Sequence, residues 1–398
     1  MGRFVKSILQ GVGSMFSFLK KRLPGSSRSL HSMHDDLIRF AQEINDKLSA
    51  QQQSINDLYR RLETADKGIN GNIDYKFEQR TLPLVEELRS DFDAHDAHMK
   101  MFAWELFRKD GETLDEAKRR FFRSLPSASG GLRLMQLGNA KLLEEFDRLC
   151  RDNDVPYWLS FGTLLGAIRH AGFVPWDDDL DVGIMRDDLP RLVEAVSHSS
   201  NRFRVTIVFD SNVYCRQVRF KYADEDLPCF VDLFIYDWAP RLDSTIGHAL
   251  CDLRNRMVGD MKTSQQLSFW RDVSEYPVSG PNAHMITSYF TRYQEMALSE
   301  GLICERARAK GMVWGIDNMN GDGQEEWLYD CESVFPTIDQ DFEGVNLQIP
   351  QDWDHMLRNQ YGDYLALPKD INNHFQHVDR GMLEDFWIRD ALTDLIDS

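Results

Sequence analysis

Long apolar runs are missing from this 398-residue chain. None approaches the ~18 to 20 residues a helix needs to cross a bilayer, which excludes an integral helical membrane protein. Paired cysteines are missing as well. Cys150, Cys215, Cys229, Cys251, Cys304 and Cys331 are scattered without a CxxC motif, which argues against a zinc ribbon or thioredoxin-type site and for a reducing compartment. Basic excess is also lacking: 46 Lys and Arg stand against 64 Asp and Glu, a net charge of −18. That balance removes the broad cationic face duplex nucleic acid requires, so no nucleic-acid partner is expected. No internal repeat is evident. What remains is 42% hydrophobic and 28% charged, a globular balance long enough for two or three units at ~150 residues each.

The first segment, 1–25, sets Phe4, Val5, Ile8, Leu9, Val12, Met15, Phe16 and Leu19 at helical spacing, with Arg3, Lys6, Lys20, Lys21 and Arg22 beside them. Two readings stand: a basic helix lying on an anionic membrane surface, and an ordinary amphipathic helix packed on protein. A signal peptide fits less well, because Lys6 and Gln10 interrupt the run and no small-x-small site follows. Beyond Pro24-Gly25-Ser26-Ser27, the residues Leu30, Met33, Leu37, Phe40, Ile44, Leu48, Ile55, Leu58 and Leu62 recur three or four apart. They predict a long helical, coiled-coil-like region over 26–125, either a homo-oligomeric contact through 30–122 or a solvated stalk. Gln51, Ala65 and Gly68-Ile69-Asn70-Gly71 interrupt the seam. Asp91, Asp93, His95, Asp96 and His98 crowd one stretch, yet on a helix only Asp91, His95 and His98 share a face, which reads as charged surface rather than a metal site.

Small residues over 124–131 mark a boundary, after which the texture changes. A helix through Leu142, Leu143, Phe146 and Leu149 leads into the strand-like Pro156–Phe161, which stops at Gly162. Short apolar runs then alternate with helical segments to about residue 240. The span 241–330 reads as a mainly helical insertion, and a compact part resumes at Phe335. The catalytic unit is placed at 132–398, with an α/β fold.

Within that unit, Pro175-Trp176-Asp177-Asp178-Asp179-Leu180-Asp181 carries four aspartates in five positions. Such a cluster in an apolar neighbourhood needs a cation to neutralise it. In an extended strand Asp177, Asp179 and Asp181 point one way and Asp178 the other. Carboxylate ligands favour Mg²⁺ or Mn²⁺ over zinc. A second acid, Asp232, stands alone in the apolar strand Cys229–Tyr236. Paired with Asp179 and Asp181 on a neighbouring strand, it completes a three-carboxylate cage able to hold a metal and the phosphates of a nucleotide. Gly162 and Thr163 are small enough for backbone N–H groups to approach a phosphate. Arg169, His170, Arg219 and Lys221 are the nearby cationic candidates. Arg169 suits either a diphosphate clamp or a salt bridge to the aspartates. His170 is either a base or a satisfied polar residue, and Trp176 either stacks a base or walls the pocket. Asp177 or Asp178 is the candidate proton acceptor. His374-x-x-His377 lacks further ligands at zinc spacing and reads as surface or substrate-side histidines.

The blocks Gly162-Thr-Leu-Leu-Gly-Ala-Ile-Arg-His170 and Pro175-Trp-Asp-Asp-Asp-Leu-Asp181 closely resemble the LicD family, the bacterial relatives of fukutin and fukutin-related protein. The resemblance covers roughly 132–240 and 335–380, including Phe342-Glu-Gly-Val345, Ile349-Pro350, Tyr361-Gly-Asp-Tyr364 and Leu367-Pro368. It implies a nucleotidyltransferase-like α+β core with a short mixed sheet. Asp179, Asp181 and Asp232 match the metal-binding acids, and Gly162 and Thr163 the small-residue turn. It further implies transfer of a phosphorylated alcohol (phosphocholine, ribitol or glycerol phosphate) from a CDP-activated donor to a sugar hydroxyl of a glycan or lipid-linked saccharide, with release of CMP. The rivals are a nucleotidyltransferase releasing pyrophosphate and a non-catalytic binding scaffold. With the basic start, the family favours the bacterial cytoplasm, at the inner face of the membrane.

Overall fold

The computed structural model describes residues 27–199, 201–267, 273–278, 280–318, 328–366 and 377–397. The expected basic helix over 1–25, His374 and Leu367-Pro368 lie outside the described residues. The chain divides into two compact units, Met1–Ala103 and Trp104–Ser398.

In the N-terminal unit the described residues form α1 (Ser27–Lys76), a π turn (Phe77–Thr81) and most of α2 (Leu82–Phe107). The helical expectation for this region agrees with the structure. No residue of α2 is buried. Among the described residues, no helix is long and apolar enough to cross a membrane.

The C-terminal unit opens with α3 (Leu114–Arg123) and α4 (Gly130–Asp152). A reciprocal capping box starts α3: the Glu116 N–H donates to Thr113 Oγ1 at 3.2 Å and the Thr113 N–H to the Glu116 carboxylate at 2.7 Å. Edge-to-face contacts join Trp104, Phe107, Phe121 and Phe122 at 5.4 to 6.0 Å. This aromatic ladder places 104–125 in the C-terminal unit, a tertiary effect that helical periodicity could not reveal. Along α4, Met135, Leu142, Phe146 and Leu149 recur at helical spacing and are buried.

There follow β1 (Tyr157–Leu159), α5 (Phe161–His170), β2 (Asp181–Met185), α6 (Leu189–His198), β3 (Phe203–Asp210), β4 (Cys215–Tyr222) and β5 (Phe230–Ala239). Next come α7 (Ser244–Thr263), β6 (Val273–Pro277), α8 (Pro281–Ser299), β7 (Gly311–Trp314) and β8 (Leu328–Asp330). The central sheet has eight strands in the order β1-β2-β5-β4-β3-β6, with β7 joined to β5 and β8 to β7. It is mixed: β2 and β5 run parallel, and the other pairs are antiparallel. The expectation of a mixed sheet agrees, but the sheet is not short. The region 241–330 supplies β6, β7 and β8 besides α7 and α8, because four- or five-residue strands such as Gly311–Trp314 carry too little periodicity to be told from helix.

Alternate residues of β4 separate the two faces: Val218, Phe220 and Tyr222 are buried, whereas Gln217, Arg219 and Lys221 are partly open. The polar face carries the site. A second core, with Leu250, Leu253, Met257, Ile286 and Phe290, lies under α7 and α8. The two parts are bridged by a buried ionic network. The Arg186 guanidinium donates to both Asp237 oxygens at 2.6 and 2.8 Å and to Asp317 at 2.5 Å. Arg216 Nε reaches the other Asp317 oxygen at 2.9 Å. Burial alone would raise the Asp317 carboxyl, but the two guanidiniums hold it far below the usual range.

The chain ends with α9 (Cys331–Val334), the hairpin β9 (Ile338–Phe342) and β10 (Val345–Ile349), α10 (Trp353–Tyr361) and α11 (Phe386–Asp397). Glu343 at the hairpin turn takes Arg133 of α4 in a bidentate pair at 3.0 and 2.7 Å and accepts the Phe173 N–H at 3.2 Å. The hairpin is thereby tied to the loop that carries the aspartates.

Gly183 on β2 sits under the Trp158 indole, where an added Cβ would overlap the ring atoms. Gly183→Ala is expected to lower stability by ~1–3 kcal/mol through forced displacement of the indole. A thermal melt unchanged within a degree would contradict that packing.

Candidate active site

Two parallel strands each carry an aspartate at or near the N-terminal end, and the register sets Asp181 of β2 opposite Asp232 of β5. The strand heads are fixed by backbone bonds: the Asp232 N–H donates to Leu180 O at 2.7 Å, and the Ser160 N–H to Asp181 O at 3.0 Å. Both small residues of the 162–163 pair lie in the first turn of α5 rather than in a free turn. Thr163 Oγ1 accepts the Asp181 N–H at 2.7 Å, and the Gly162 N–H donates to the Asp181 carboxylate. An added Cβ at Gly162 would come within 2.6 Å of Asp177 Oδ2, so glycine is what lets that carboxylate close over the helix.

Asp179, Asp181 and Asp232 offer oxygens that all lie within 4.8 Å of one another. The three are 7%, 8% and 6% exposed. Asp181 and Asp232 belong to strands; Asp177 and Asp179 reach the same place from the loop before β2. Burial, then Asp177 and Asp232, push Asp179 up to about 8 against the opposing pull of His377. Burial, followed by Asp179 and Asp232, drives Asp181 well above the ordinary carboxylate range. Arg219 balances Asp232 alone, with contacts of 2.7 and 3.3 Å, while its guanidinium stacks at 3.9 Å from the Phe230 centroid. Four acids and one contacting arginine leave a deficit of positive charge, and converging carboxylate oxygens suit a hard divalent cation.

Asp178, in the loop, takes partners from the 377–378 segment. Fully buried, it accepts the His377 N–H at 3.2 Å, the Val378 N–H at 3.1 Å and a contact from His377 Nδ1 at 3.2 Å. Burial opposes ionisation, but these bonds outweigh it and hold Asp178 below its ordinary value. Asp178 thus anchors the segment at 377–380 and is poorly suited to accept a proton. His377 Nδ1 also stands 3.2 Å from Asp179, bringing to the cage a residue that its sequence context marked only as surface or substrate-side.

Arg169 is 5% exposed, donates to Tyr364 O at 2.9 Å and lies 4.3 Å from the Phe122 centroid. It forms no salt bridge among the described residues. Burial pushes it down to about 10, with Tyr361 and Asp177 the anionic or ionisable groups facing it. Tyr361 was read only as part of a C-terminal motif. Its phenol, on a residue 43% exposed overall, is raised by burial of the hydroxyl end and then by the negative field of Asp181, Asp177 and Asp179. His170 packs edge-on against Phe122 at 5.4 Å, and burial followed by Arg169 pushes it down to about 3, too low for a base at neutral pH. Trp176 packs against the core, and its carbonyl accepts from Arg380 at 3.1 Å. Lys221 pairs with Glu275 at 3.1 Å, away from the acids.

Beside Asp232 on the polar face, Phe234 packs with Phe161 at 4.6 Å and Trp314 at 5.8 Å. Phe161 holds a φ of +43°, a strained conformation for a bulky residue. The side chains of Gln217 and Asn318 hydrogen-bond to each other next to this ledge, and the buried Asn318 Oδ1 has no partner among the described residues. Scattered single residues of this kind leave no motif, which is why reading the sequence did not find them.

Residues 154–251, which include every acid of the cage, match the family model described as LicD/FKTN/FKRP, nucleotidyltransferase domain. The chain carries a LicD-family domain. It is 26% identical over 262 residues to the lipopolysaccharide cholinephosphotransferase LicD of Haemophilus influenzae, covering 62% of this chain and 96% of that protein. Shorter matches join the LicD-family domain to the human ribitol 5-phosphate transferase FKRP, 54% identical over 35 residues, 9% of this chain and 7% of that one. The mouse ribitol-5-phosphate transferase FKTN is 42% identical over 48 residues, 12% of this chain and 10% of that one.

A carboxyl raised by folding weakens stability from its unfolded pKa upward, with the full loss reached above its folded pKa. Asp181→Asn should therefore melt higher than the wild type in EDTA at about pH 8, the gap closing toward about pH 4. Mg²⁺ or Mn²⁺ should raise the wild-type melting temperature and leave Asp181→Asn unmoved. A wild type indifferent to both ions would remove the cage from consideration.

Proposed function

We propose that this chain transfers a phosphorylated alcohol, such as phosphocholine, ribitol phosphate or glycerol phosphate, from a CDP-activated donor to a sugar hydroxyl of a glycan or lipid-linked saccharide. Catalysis is assigned to residues 132–398, and Mg²⁺ or Mn²⁺ to Asp179, Asp181 and Asp232. The observation that carries this reading is three buried, mutually repelling carboxylates met, among the described residues, by Arg219 at Asp232 and His377 at Asp179, set in a LicD-family domain. Relatives named cholinephosphotransferase and ribitol phosphate transferase support the class of group moved.

When bound, the metal neutralises charge on the donor's phosphate oxygens. The chain's own residues do the rest. Arg169, a buried cation with no salt bridge among the described residues, is assigned to the donor diphosphate; its guanidinium Nε has no hydrogen-bond partner among them. Phe161, Phe234 and Trp314, with the Gln217–Asn318 pair, are assigned to the cytosine, whose amino group can donate to Asn318 Oδ1. Asp177 is assigned as the acceptor of the sugar hydroxyl's proton, since Asp178 is committed to the 377–378 backbone. The new bond joins the sugar oxygen to the phosphorus of the phosphoalcohol, the bond from that phosphorus to the CMP oxygen breaks, and CMP leaves. Arg219 holds Asp232 in place. Residues 1–25 are assigned to an anionic membrane surface at the cytoplasmic face, which would raise the local concentration of a lipid-linked acceptor.

The deciding assay offers CDP-choline, CDP-ribitol and CDP-glycerol with a saccharide acceptor and follows CMP together with product mass. Metal-dependent CMP release from one donor is expected, with Asp179→Asn reducing turnover at least ~10²-fold. An acceptor that gains a nucleoside monophosphate would instead establish nucleotidyl transfer. Nucleotide binding without turnover on any donor would favour a scaffold. Deleting residues 1–25 should release the protein from anionic liposomes while turnover on a soluble acceptor persists; unchanged liposome binding would remove the membrane assignment.

A further inference from the structure

Outside the catalytic unit, α2 carries a seam that no described residue of the N-terminal unit buries. Val85, Leu88, Phe92, Met99 and Phe102 are 53–76% exposed, and no residue of this helix is buried. With His95 they occupy alternating steps of three and four residues, the 3.5-residue period of a coiled-coil seam. In heptad terms Val85, Phe92 and Met99 are a positions, and Leu88, His95 and Phe102 are d positions.

The seam is complementary to itself in one orientation. In an antiparallel pair, a packs on d of the other helix, and the flanking contacts run e to e and g to g. A two-fold axis between residues 93 and 94 sets Val85 on Phe102, Leu88 on Met99 and Phe92 on His95, each pair occurring twice. The same axis sets Arg89 against Asp96 and Asp91 against His98. Both flanking contacts are favourable. A parallel pair would instead set g against e of the next heptad, which brings Asp91 onto Asp96 twice. That repulsion disfavours the parallel arrangement.

The seam is also confined to α2. Counting heptads onward from Leu62 on α1, whose stripe includes the exposed Ile55 and Leu58, lands on Pro83, two residues short of Val85. The π turn lies between the two stripes. A coil through α1 would therefore not continue straight through α2.

We infer that two copies of this chain associate through α2 as an antiparallel, two-fold symmetric helix pair centred between Asp93 and Ala94. The occupant is a second copy because one symmetry axis matches every apolar seam residue and both flanking charges at once, as an isologous contact requires. This inference is independent of the catalytic reading.

The test is sedimentation equilibrium of the full chain over micromolar concentrations, with variants on exposed positions of α2. The wild type is expected to dimerise, and Leu88→Glu to be monomeric. Arg89→Glu should weaken association about tenfold, since two attractive contacts become repulsive. Adding Asp96→Arg to it should recover most of the loss. Asp91→Lys should not tighten the dimer. A monomeric wild type overturns the proposal, as does a dimer insensitive to Leu88→Glu. A dimer indifferent to Arg89→Glu but tightened by Asp91→Lys would be parallel, which also overturns it.

Discussion

Repulsion among carboxylates at the heads of two parallel strands is the constraint on which the C-terminal unit depends. The register of β2 with β5 brings Asp181 beside Asp232, and the loop before β2 adds Asp177 and Asp179. Nothing in those four side chains favours their proximity. They are held together by the apolar remainder of the strands, Val182, Ile184, Leu233 and Ile235, which is buried in the main core. Hydrophobic burial fixes the backbone, and the backbone imposes the electrostatic strain.

How the chain treats its other buried charges makes the contrast clear. Across the sheet, Arg186 and Arg216 face Asp237 and Asp317, two cations against two anions, with the carboxylate held ionised. That network is closed and holds the 241–330 region to the strands. Asp178 is likewise satisfied, by the backbone at 377–378. Among the described residues the cage is the buried acid cluster left incompletely balanced, with Arg219 on Asp232, His377 at Asp179 and the Gly162 N–H on Asp181 as partial compensation. An incomplete charge balance inside an otherwise balanced fold marks the place where ligand charge belongs.

The aspartate run and the two small residues at 162–163 were legible because their chemistry is local: consecutive acids with apolar flanks have few inexpensive structural explanations. Asp178 is held apart from Asp177 and Asp181 by its bonds to 377–378 rather than by strand alternation. Sequence reasoning put Asp177 and Asp179 in a strand, whereas the structure keeps them in a loop. It also treated Gly162 and Thr163 as a phosphate-facing turn, whereas both are engaged with Asp181 in the first turn of α5. His377, Tyr361, Phe161 and Asn318 arrive at the site from distant segments, and no spacing in the chain connects them. The strands of 241–330 were missed for a related reason, since their length is too short to carry a period.

By itself the sequence determined which side chains are present and how each local stretch repeats: a helical N-terminal region, alternating strands around 157–239, and an acid cluster able to hold a metal. Those properties are set by covalent neighbours, so they survive without a partner. The tertiary structure decided which neighbours meet across the sheet, which arginine serves Asp232, which histidine reaches Asp179, and where the N-terminal unit ends. These follow from strand register and from burial of apolar faces contributed by separate segments. Both are properties of the packed chain, and neither is encoded at any one position.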